Sequence, residues 1–416
     1  MIFIDGEKLQ GACSCGKPHT MDTKAVIIEP GCLKKIDAYF EQYHIAGKRA
    51  VVYDEHTYNA ENLIRPAADR EIVLRADTDA HDELADEVLH NSASDIKILI
   101  AVGSGTVHDI TRYCARETGK IFISCPTAAS VDGFCSTVCA MTWKGYKTTL
   151  PGIAPALVLA DTDVIKAAPM RLTLSGVGDI LGKYTALADW KIAHVLAGEH
   201  FCERIEQMTE KALKTVHSCC EQIPEKNEEA IEQLIYALLL SGLAMQLMGN
   251  SRPASGSEHH ISHLIEMHPQ KLGVFSSALH GEKVGVAALL ISEYYHKLTK
   301  TEKIGSRVRE YAFPSKDELR SFYGDDLIES VLNENKHDCM NGVTPEKLIE
   351  TWPNIRSIVS EIPLKKELLP VYEKIGMKAT LSDIDVPEDR ADLLFEYSPT
   401  VRNRMTLMRI KRMITL

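Results

Sequence analysis

Short apolar runs alternate with longer polar stretches along the first part of the chain. Six of these runs are rich in β-branched residues and have the length of buried strands, and the segments between them have the length of helices. The six predicted strands are Ala25–Ile28, Arg49–Tyr53, Glu71–Leu74, Ile96–Val102, Lys120–Ser124 and Ala156–Ala160. Because strands that alternate with helices usually form a covered parallel sheet, the pattern predicts an α/β domain over residues 1–166. A hairpin is also predicted between Cys139 and Thr148, with its turn at Lys144 and Gly145.

The pattern changes after about residue 165. From there apolar residues recur at three-to-four spacing, which is typical of amphipathic helices, and few strand candidates remain. Residues 167–416 are therefore predicted to form an all-helical domain that meets the first domain along a cleft. The apolar run from Ile235 to Met248 is short for a bilayer and polar residues interrupt it, so it predicts a buried helix and no membrane span. The basic residues between Arg402 and Arg412 alternate with apolar ones and predict the solvated face of a final helix.

Composition narrows the classes of function. The chain of 416 residues is long enough to bury two cores, and its formal net charge of −11 argues against a nucleic-acid-binding surface. The segment from Met1 to Gly6 lacks the basic stretch, the long apolar core and the cleavage site of a secretory signal. The eleven cysteines are then expected to be reduced thiols of a cytoplasmic protein. An enzyme with a small-molecule substrate is the class that these features favour.

One cysteine cluster allows a second interpretation. Cys13, Cys15 and His19 are residue types that bind zinc. No second ligand pair follows at the spacing of a zinc finger or ribbon, so the sequence alone favours unmodified thiols here.

A glycine-rich turn ends the fourth predicted strand. The turn and the start of the following helix comprise Gly103, Ser104, Gly105, Thr106, Val107, His108 and Asp109. Glycines at such a turn let backbone N–H groups approach a phosphate, and the positive end of the helix dipole stabilises its charge. His108 takes the place of the third glycine of the usual dinucleotide fingerprint, so a plain tight turn remains an alternative.

Two other strand ends carry polar side chains. Asp54 ends the second predicted strand, where a carboxylate could bind a ribose and repel a 2′-phosphate, which favours NAD over NADP. The fifth strand leads into a segment with hydroxyls and a carboxylate, at the sheet edge where open α/β sheets bind ligands. These residues are Thr127, Ser130, Asp132 and Ser136. A surface acid and an ordinary helix cap are the alternatives.

Histidines and one carboxylate indicate a metal site. His259 and His263 are one helical turn apart and therefore share a helix face, His280 begins a later motif, and Asp179 lies far upstream. Two neutral imidazoles and a carboxylate suit a divalent transition metal with an open coordination position, which indicates catalysis. His260 is adjacent to His259, so only their direction on the helix separates them as ligands. Ordinary hydrogen-bonded side chains are the alternative for each residue.

Taken together, these motifs resemble those of the dehydroquinate synthase-like superfamily, which includes the iron-type, metal-dependent alcohol and polyol dehydrogenases. The resemblance extends from about residue 20 to residue 300 and rests on five motifs in the expected order. The motifs are residues 103–109, 126–132, 178–179, 257–263 and 280–283. Within the superfamily, residues 251–259 look most like those of the members that interconvert dihydroxyacetone phosphate and sn-glycerol 1-phosphate.

The resemblance implies a fold and a role for each site residue. It implies a Rossmann-like domain for the nicotinamide cofactor, NAD or NADP, followed by the helical domain. One divalent ion, Ni²⁺ or Zn²⁺, would be bound by Asp179, His259 and His280. The substrate would contact Asp132, Asp179 and His263, which are also the expected catalytic residues. The cofactor would be held by Asp54, residues 103–109, Thr127, Ser130 and Ser136.

The function expected from the resemblance is a cytoplasmic, metal-requiring reductase of dihydroxyacetone phosphate, and a homodimer is expected by analogy. A glycerol or other polyol dehydrogenase would share the metal ligands. A carbocycle-forming lyase is disfavoured, because that branch typically has Glu at the position of Asp179. A non-catalytic member that binds nucleotide and metal remains as an alternative, and the presence of Asp132 and His263 argues against it. The residues that bind the phosphate stay open, with Lys147, Arg171 and Arg252 as candidates.

Overall fold

The computed structural model describes residues 1–76, 79–143 and 146–415, apart from the side chains of residues 146 and 147. The chain divides into two compact units. Unit 1 comprises Met1–Ile180 and Lys214–Asn250, and unit 2 comprises Leu181–Leu213 and Ser251–Leu416. The predicted domain boundary after residue 166 follows the change in sequence pattern and stays a prediction.

A seven-stranded sheet forms the centre of unit 1, in the order β1-β2-β9-β6-β5-β3-β4. Its strands are β1 (Ile2–Asp5), β2 (Ala25–Glu29), β3 (Lys48–Asp54), β4 (Arg70–Leu74), β5 (Ile96–Gly103), β6 (Ile121–Pro126) and β9 (Leu157–Asp161). All pairs in the sheet are parallel except β1 with β2, which is antiparallel. The six predicted strands and the α/β class are therefore confirmed. Strand β1 was not predicted.

The predicted hairpin is also present. Strands β7 (Val138–Trp143) and β8 (Tyr146–Pro151) pair antiparallel outside the main sheet. The predicted turn at Lys144 and Gly145 lies outside the described residues.

Side chains of the central strands are buried on both faces of the sheet. Val51 and Tyr53 of β3 belong to the apolar cluster on one face. Ala50 and Val52 belong to the cluster on the other face. Because successive side chains of a strand point to opposite faces, a continuous apolar run is what a doubly covered strand requires.

Seven helices of unit 1 accompany these strands in the described residues. They are α1 (Ile36–Gln42), α2 (Glu55–Tyr58), α3 (Asp82–Asn91), α4 (Gly105–Thr118), α5 (Thr162–Ile165), α6 (Met170–Leu181) and α9 (Glu228–Met248). Helix α6 ends one residue into unit 2, and α8 (Glu203–Cys219) begins in unit 2 and ends in unit 1. Helix α9 is the one described helix long and apolar enough to cross a membrane, but 72% of its most apolar window is buried inside the protein, as in a core helix.

Unit 2 is helical in its described residues, as predicted. Its helices are α7 (Lys183–Ala197), α10 (Ser257–Glu266), α11 (His280–Thr299), α12 (Lys316–Tyr323), α13 (Asp325–Glu334), α14 (Pro345–Ser360), α15 (Lys365–Ile375), α16 (Ala391–Tyr397) and α17 (Leu407–Ile410). Buried Asp189 joins its own helix, α7, to three of the others. It accepts hydrogen bonds from the backbone N–H groups of Ser257 and Leu407 and from the hydroxyl of Tyr295. Burial raises the pKa of Asp189 to about 6.

The prediction of a solvated final helix is wrong. Helix α17 has four residues, and the side chain of Arg409 within it is fully buried. The guanidinium of Arg409 forms an ion pair with Asp338 at 3.0 Å and donates hydrogen bonds to Asn335 and to the carbonyl of Pro399. A buried cation needs such partners to offset the loss of its hydration. Arg409 therefore has a structural role within unit 2.

Candidate active site

The glycine-rich turn lies between β5 and α4, at the carboxyl edge of the parallel sheet. Ser104 is the N-cap residue of α4, and its side chain makes no capping hydrogen bond. The first backbone bond of the helix runs from the N–H of His108 to the carbonyl of Ser104. The N–H groups of residues 105–107 therefore have no acceptor within the helix. This geometry suits the binding of a phosphate at the positive end of the helix dipole.

The side chains of His108 and Asp109 form hydrogen bonds and an ion pair within the protein. Nδ1 of His108 lies 2.9 Å from the carbonyl oxygen of Ser104, and Nε2 lies 2.9 Å from the hydroxyl of Ser124. Burial lowers the pKa of His108 to about 3, so the imidazole is neutral. Asp109 forms an ion pair with Arg112 at 3.1 Å and accepts a hydrogen bond from the N–H of Ala140. These two predicted cofactor residues thus hold the start of α4 in place through their side chains.

The other predicted cofactor residues follow the ends of strands. Asp54 caps α2, because its Oδ1 accepts a hydrogen bond from the N–H of Thr57 at 2.6 Å. The N–H of Thr127 donates to the carbonyl of Gly103, which joins the end of β6 to the glycine-rich turn. The hydroxyl of Ser136 exchanges hydrogen bonds with the backbone of residue 138. Ser130 is buried, and its carbonyl accepts a hydrogen bond from the hydroxyl of Ser175.

Two predicted catalytic residues, Asp132 and Asp179, are in direct contact within unit 1. The backbone N–H of Asp132 donates to Oδ2 of Asp179 at 2.9 Å. The Oδ2 atom of Asp132 accepts a hydrogen bond from the hydroxyl of Ser241 on α9, also at 2.9 Å. All three side chains are buried. Ser241 was not among the predicted site residues, although it interrupts the apolar run of α9.

Two glycines allow α6 and α9 to approach this segment. A Cβ atom at Gly176 of α6 would lie 2.1 Å from the carbonyl oxygen of Ala129, and one at Gly242 of α9 would lie 2.7 Å from that of Asp132. Any other residue at either position would push its helix away from the backbone it contacts. The small residues therefore set the distance at which Asp179 and Ser241 meet Asp132.

Three histidines cluster in unit 2 where α10 and α11 pack together. The ring centroids of His259 and His263 are 6.1 Å apart, and those of His259 and His280 are 5.3 Å apart. The rings of His263 and His280 stack, with centroids 5.7 Å apart. The prediction that His259 and His263 share a helix face is therefore confirmed.

A carboxylate orients each of the two predicted histidine ligands. Nδ1 of His259 lies 2.7 Å from Oε1 of Glu258, and Nδ1 of His280 lies 3.1 Å from Oε1 of Glu266. An ionised carboxylate only accepts hydrogen bonds, so each Nδ1 carries the proton and each Nε2 of the neutral imidazole keeps its lone pair. Histidines that bind metals are usually oriented in this way.

Both carboxylates are held in their ionised form. Burial raises the pKa of Glu258, but hydrogen bonds from His259, the hydroxyl of Thr185 and the N–H of Gly256 outweigh it and leave that pKa below its ordinary value. Burial likewise opposes ionisation of Glu266, and Lys283, whose ammonium lies 3.0 Å away, contributes most to lowering its pKa well below the ordinary value. Sequence analysis missed both residues, although Glu258 adjoins one histidine and Glu266 lies one helical turn after another.

Comparison with known proteins identifies the family. The chain is 33% identical to the glycerol-1-phosphate dehydrogenase [NAD(P)+] of Bacillus licheniformis over 97% of this chain and 92% of the relative. The chain belongs to the glycerol-1-phosphate dehydrogenase family. An enzyme of the same name from Pyrococcus furiosus is 35% identical over 58% of this chain and 73% of the relative. Residues 27–169 also match the family model of iron-containing alcohol dehydrogenases.

Solved structures of more distant proteins have the fold of this family member. Maleylacetate reductase from Rhizobium sp. strain MTP-10005 aligns with a TM-score of 0.59 at 15% identity, over 91% of this chain and 90% of the other. Sulfoacetaldehyde reductase from Bifidobacterium kashiwanohense aligns with a TM-score of 0.59 at 16% identity, over 93% of this chain and 95% of the other. At these identities the likeness supports the fold alone.

The environment of His260 differs from that of His259. His260 is fully buried, and neither ring nitrogen has a hydrogen-bond partner among the described residues. Burial lowers its pKa well below the ordinary value, so the ring is neutral. Among the residues that the structure describes, no carboxylate orients His260 as Glu258 orients His259, which favours His259 as the metal ligand.

The candidate phosphate-binding residues have different surroundings. Arg252 is buried, forms an ion pair with Glu199 at 2.8 Å and donates to two backbone carbonyls, which is a structural role. Arg171 is exposed, and the side chain of Lys147 lies outside the described residues. Arg404, which sequence analysis passed over, donates to the carbonyl of residue 255 and to the hydroxyl of residue 251, within the segment that resembles this family most closely.

Proposed function

We propose that this chain is an NAD(P)-dependent, metal-requiring dehydrogenase that interconverts dihydroxyacetone phosphate and sn-glycerol 1-phosphate. The observation that carries the proposal is the pair His259 and His280, each fixed through Nδ1 by a carboxylate, with Nε2 left to bind a metal. The relatives that bear this activity in their names support the choice of substrate.

Asp179 is the proposed third metal ligand. It is buried in the last turn of α6, the helix that leads into unit 2, and one of its oxygens accepts a hydrogen bond from Asp132. Two imidazoles and a carboxylate fit a divalent ion such as Zn²⁺ or Ni²⁺ and leave a coordination position open.

A second set of possible donors is present within unit 2. Ligand atoms of His263, Glu266 and His280 lie within 4.8 Å of one another. Glu266 already binds the ammonium of Lys283 at 3.0 Å and Nδ1 of His280 at 3.1 Å. These contacts make Glu266 the orienting partner of a ligand, so we favour the set with His259.

The remaining residues would bind and orient the reactants. When bound, the divalent ion would stabilise the charge that develops on the ketone oxygen, and the nicotinamide would supply the hydride. The N–H groups of residues 105–107 would hold the pyrophosphate of the cofactor. Asp132, whose carboxylate is fixed by Ser241, would orient a substrate hydroxyl and thereby the face of the carbonyl that is reduced.

His263 is the proposed proton relay. Its ring stacks on that of His280, and its Nδ1 has no hydrogen-bond partner among the described residues. A neutral imidazole in this position can exchange a proton between Nδ1 and the substrate hydroxyl.

Two further residues concern the choice between NAD and NADP and the binding of the substrate phosphate. Asp54 at the end of β3 favours NAD, because its carboxylate would repel the 2′-phosphate of NADP. Arg404 is the proposed phosphate ligand, since its guanidinium is held beside residues 251–255 and presents donors suited to a phosphate. We further propose a cytoplasmic location and a homodimer, both by analogy with the family.

The function is tested with purified protein. We expect reduction of dihydroxyacetone phosphate with NADH or NADPH, loss of this activity after thorough chelation and its return with Ni²⁺ or Zn²⁺. Turnover of sn-glycerol 1-phosphate should greatly exceed that of glycerol. Activity that survives chelation would refute the metal requirement, and a preference for glycerol would identify a polyol dehydrogenase with the same ligands.

A further inference from the structure

Two thiols and an imidazole converge in the loop between β1 and β2 of unit 1. The ligand atoms of Cys13, Cys15 and His19 all lie within 4.8 Å of one another. Sγ of Cys15 is 3.4 Å from Nε2 of His19. In a tetrahedral zinc site with Zn–S of about 2.3 Å and Zn–N of about 2.0 Å, a sulfur and a nitrogen ligand lie about 3.5 Å apart. The observed separation, which also allows a hydrogen bond, matches that of two ligands of one zinc ion.

The backbone of this loop brings the side chains together. Gly11 and His19 exchange two backbone hydrogen bonds, which close the loop at its base. The N–H of Gly16 donates to the carbonyl of Cys13, and Gly16 has a φ of +85°, which favours glycine at this turn directly after Cys15. The two thiols are therefore placed side by side by a turn that the sequence Cys-Ser-Cys-Gly encodes.

The ring of His19 is oriented for binding a metal. It is buried, and its Nδ1 lies 2.8 Å from the carbonyl oxygen of Leu247. A carbonyl only accepts hydrogen bonds, so Nδ1 carries the proton and Nε2 of the neutral ring directs its lone pair toward Cys15. Leu247 lies in the last turn of α9, where backbone carbonyls have no partner within the helix.

We propose that Cys13, Cys15 and His19 bind a structural zinc ion, distinct from the catalytic metal. The ion links the loop before β2 to the end of α9, the helix that supplies Ser241 to the candidate active site. Zinc binding displaces the protons of the two thiols. No disulfide competes with zinc for these sulfurs, because none of the eleven cysteines, all of which are described, forms one. Structural zinc is four-coordinate, so a water molecule or a further thiolate takes the fourth position.

The test separates this ion from the catalytic one. In the full-length His280→Ala variant, whose catalytic site is disabled, we expect zinc to remain bound, as measured by mass spectrometry of the metal. Adding Cys13→Ser and Cys15→Ser to this variant should remove that zinc. Cys219→Ser, which changes a half-buried thiol of α8, is the matched control and should retain it. Equal zinc contents with and without Cys13 and Cys15 would overturn the proposal.

A second measurement leaves the cysteines intact. X-ray absorption at the zinc edge of the His280→Ala protein should show sulfur ligands together with an imidazole. Two sulfurs would identify water as the fourth ligand. Three would identify a further thiolate in that position. A zinc environment without sulfur would refute the site whether or not the cysteine variants fold.

Discussion

Replacing Glu258 by Gln tests the orientation of His259, the proposed metal ligand. The carboxylate of Glu258 lies 2.7 Å from Nδ1 of His259 and also accepts hydrogen bonds from the N–H of Gly256 and the hydroxyl of Thr185. A glutamine can keep its carbonyl oxygen toward His259 and Gly256 and turn its amide toward Thr185, so the packing is retained. What is lost is the negative charge that makes the imidazole a stronger ligand. Changes of this kind lower metal affinity about 10- to 100-fold, or by about 1.4 to 2.7 kcal/mol.

The assay is competition for Zn²⁺ or Ni²⁺ with a chromophoric chelator, followed by measurement of turnover at saturating metal. Glu258→Gln should weaken binding by the stated factor and recover most of its turnover when the metal is in excess. Glu318→Gln, which changes an exposed helix-capping carboxylate of unit 2, is the matched control and should bind metal like the parent. Unchanged affinity in a folded Glu258→Gln protein would refute the reasoning that the carboxylate prepares His259 to bind metal.

Two other predictions address substrate recognition and stability. Arg404→Ala should raise the KM for dihydroxyacetone phosphate about tenfold or more, because it removes a charged hydrogen-bond donor to the phosphate. Arg171→Ala, on the exposed surface, is the control and should leave KM unchanged in the same steady-state assay. Burial raises the pKa of Asp189 in the folded protein to about 6, from an ordinary value of 3.8. The folded state therefore binds this proton more tightly than the unfolded state does, and the protein loses stability as the pH rises between these two values. The parent should therefore lose about 2 kcal/mol relative to Asp189→Asn between pH 4 and pH 7 in urea unfolding. A parallel pH dependence of the two proteins would contradict the raised pKa.

Much of the sheet could be predicted because its central strands are buried on both faces. Each gives a continuous apolar run of strand length, which needs no knowledge of its neighbours. Strand β1 escaped prediction because it is a short edge strand with only partly buried side chains, and its antiparallel pairing with β2 is a tertiary feature. The burial of the basic segment between Arg402 and Arg412 was not predicted for a similar reason. Periodicity showed which residues alternate, but the partners of Arg409 lie more than 70 residues upstream in Asn335 and Asp338.

In the candidate site, too, features set by local sequence could be predicted and features set by tertiary packing could not. The face shared by His259 and His263 follows from helix geometry alone and was predicted correctly. The bond between Glu266 and His280 arises only when α10 packs on α11, so no spacing rule reveals it. Ser241 could have been found, because a polar residue in an otherwise apolar core helix needs a buried partner, and here that partner is Asp132.

The proposed function depends on the proposal that Asp179, His259 and His280 bind one divalent ion. Crystals of the protein soaked with Ni²⁺ or Zn²⁺ and measured at the absorption edge of that metal test it directly. We predict an anomalous peak bonded to the carboxylate of Asp179 and to Nε2 of both histidines. A peak held instead by His263 and Glu266, or none near these side chains, would refute this set of ligands.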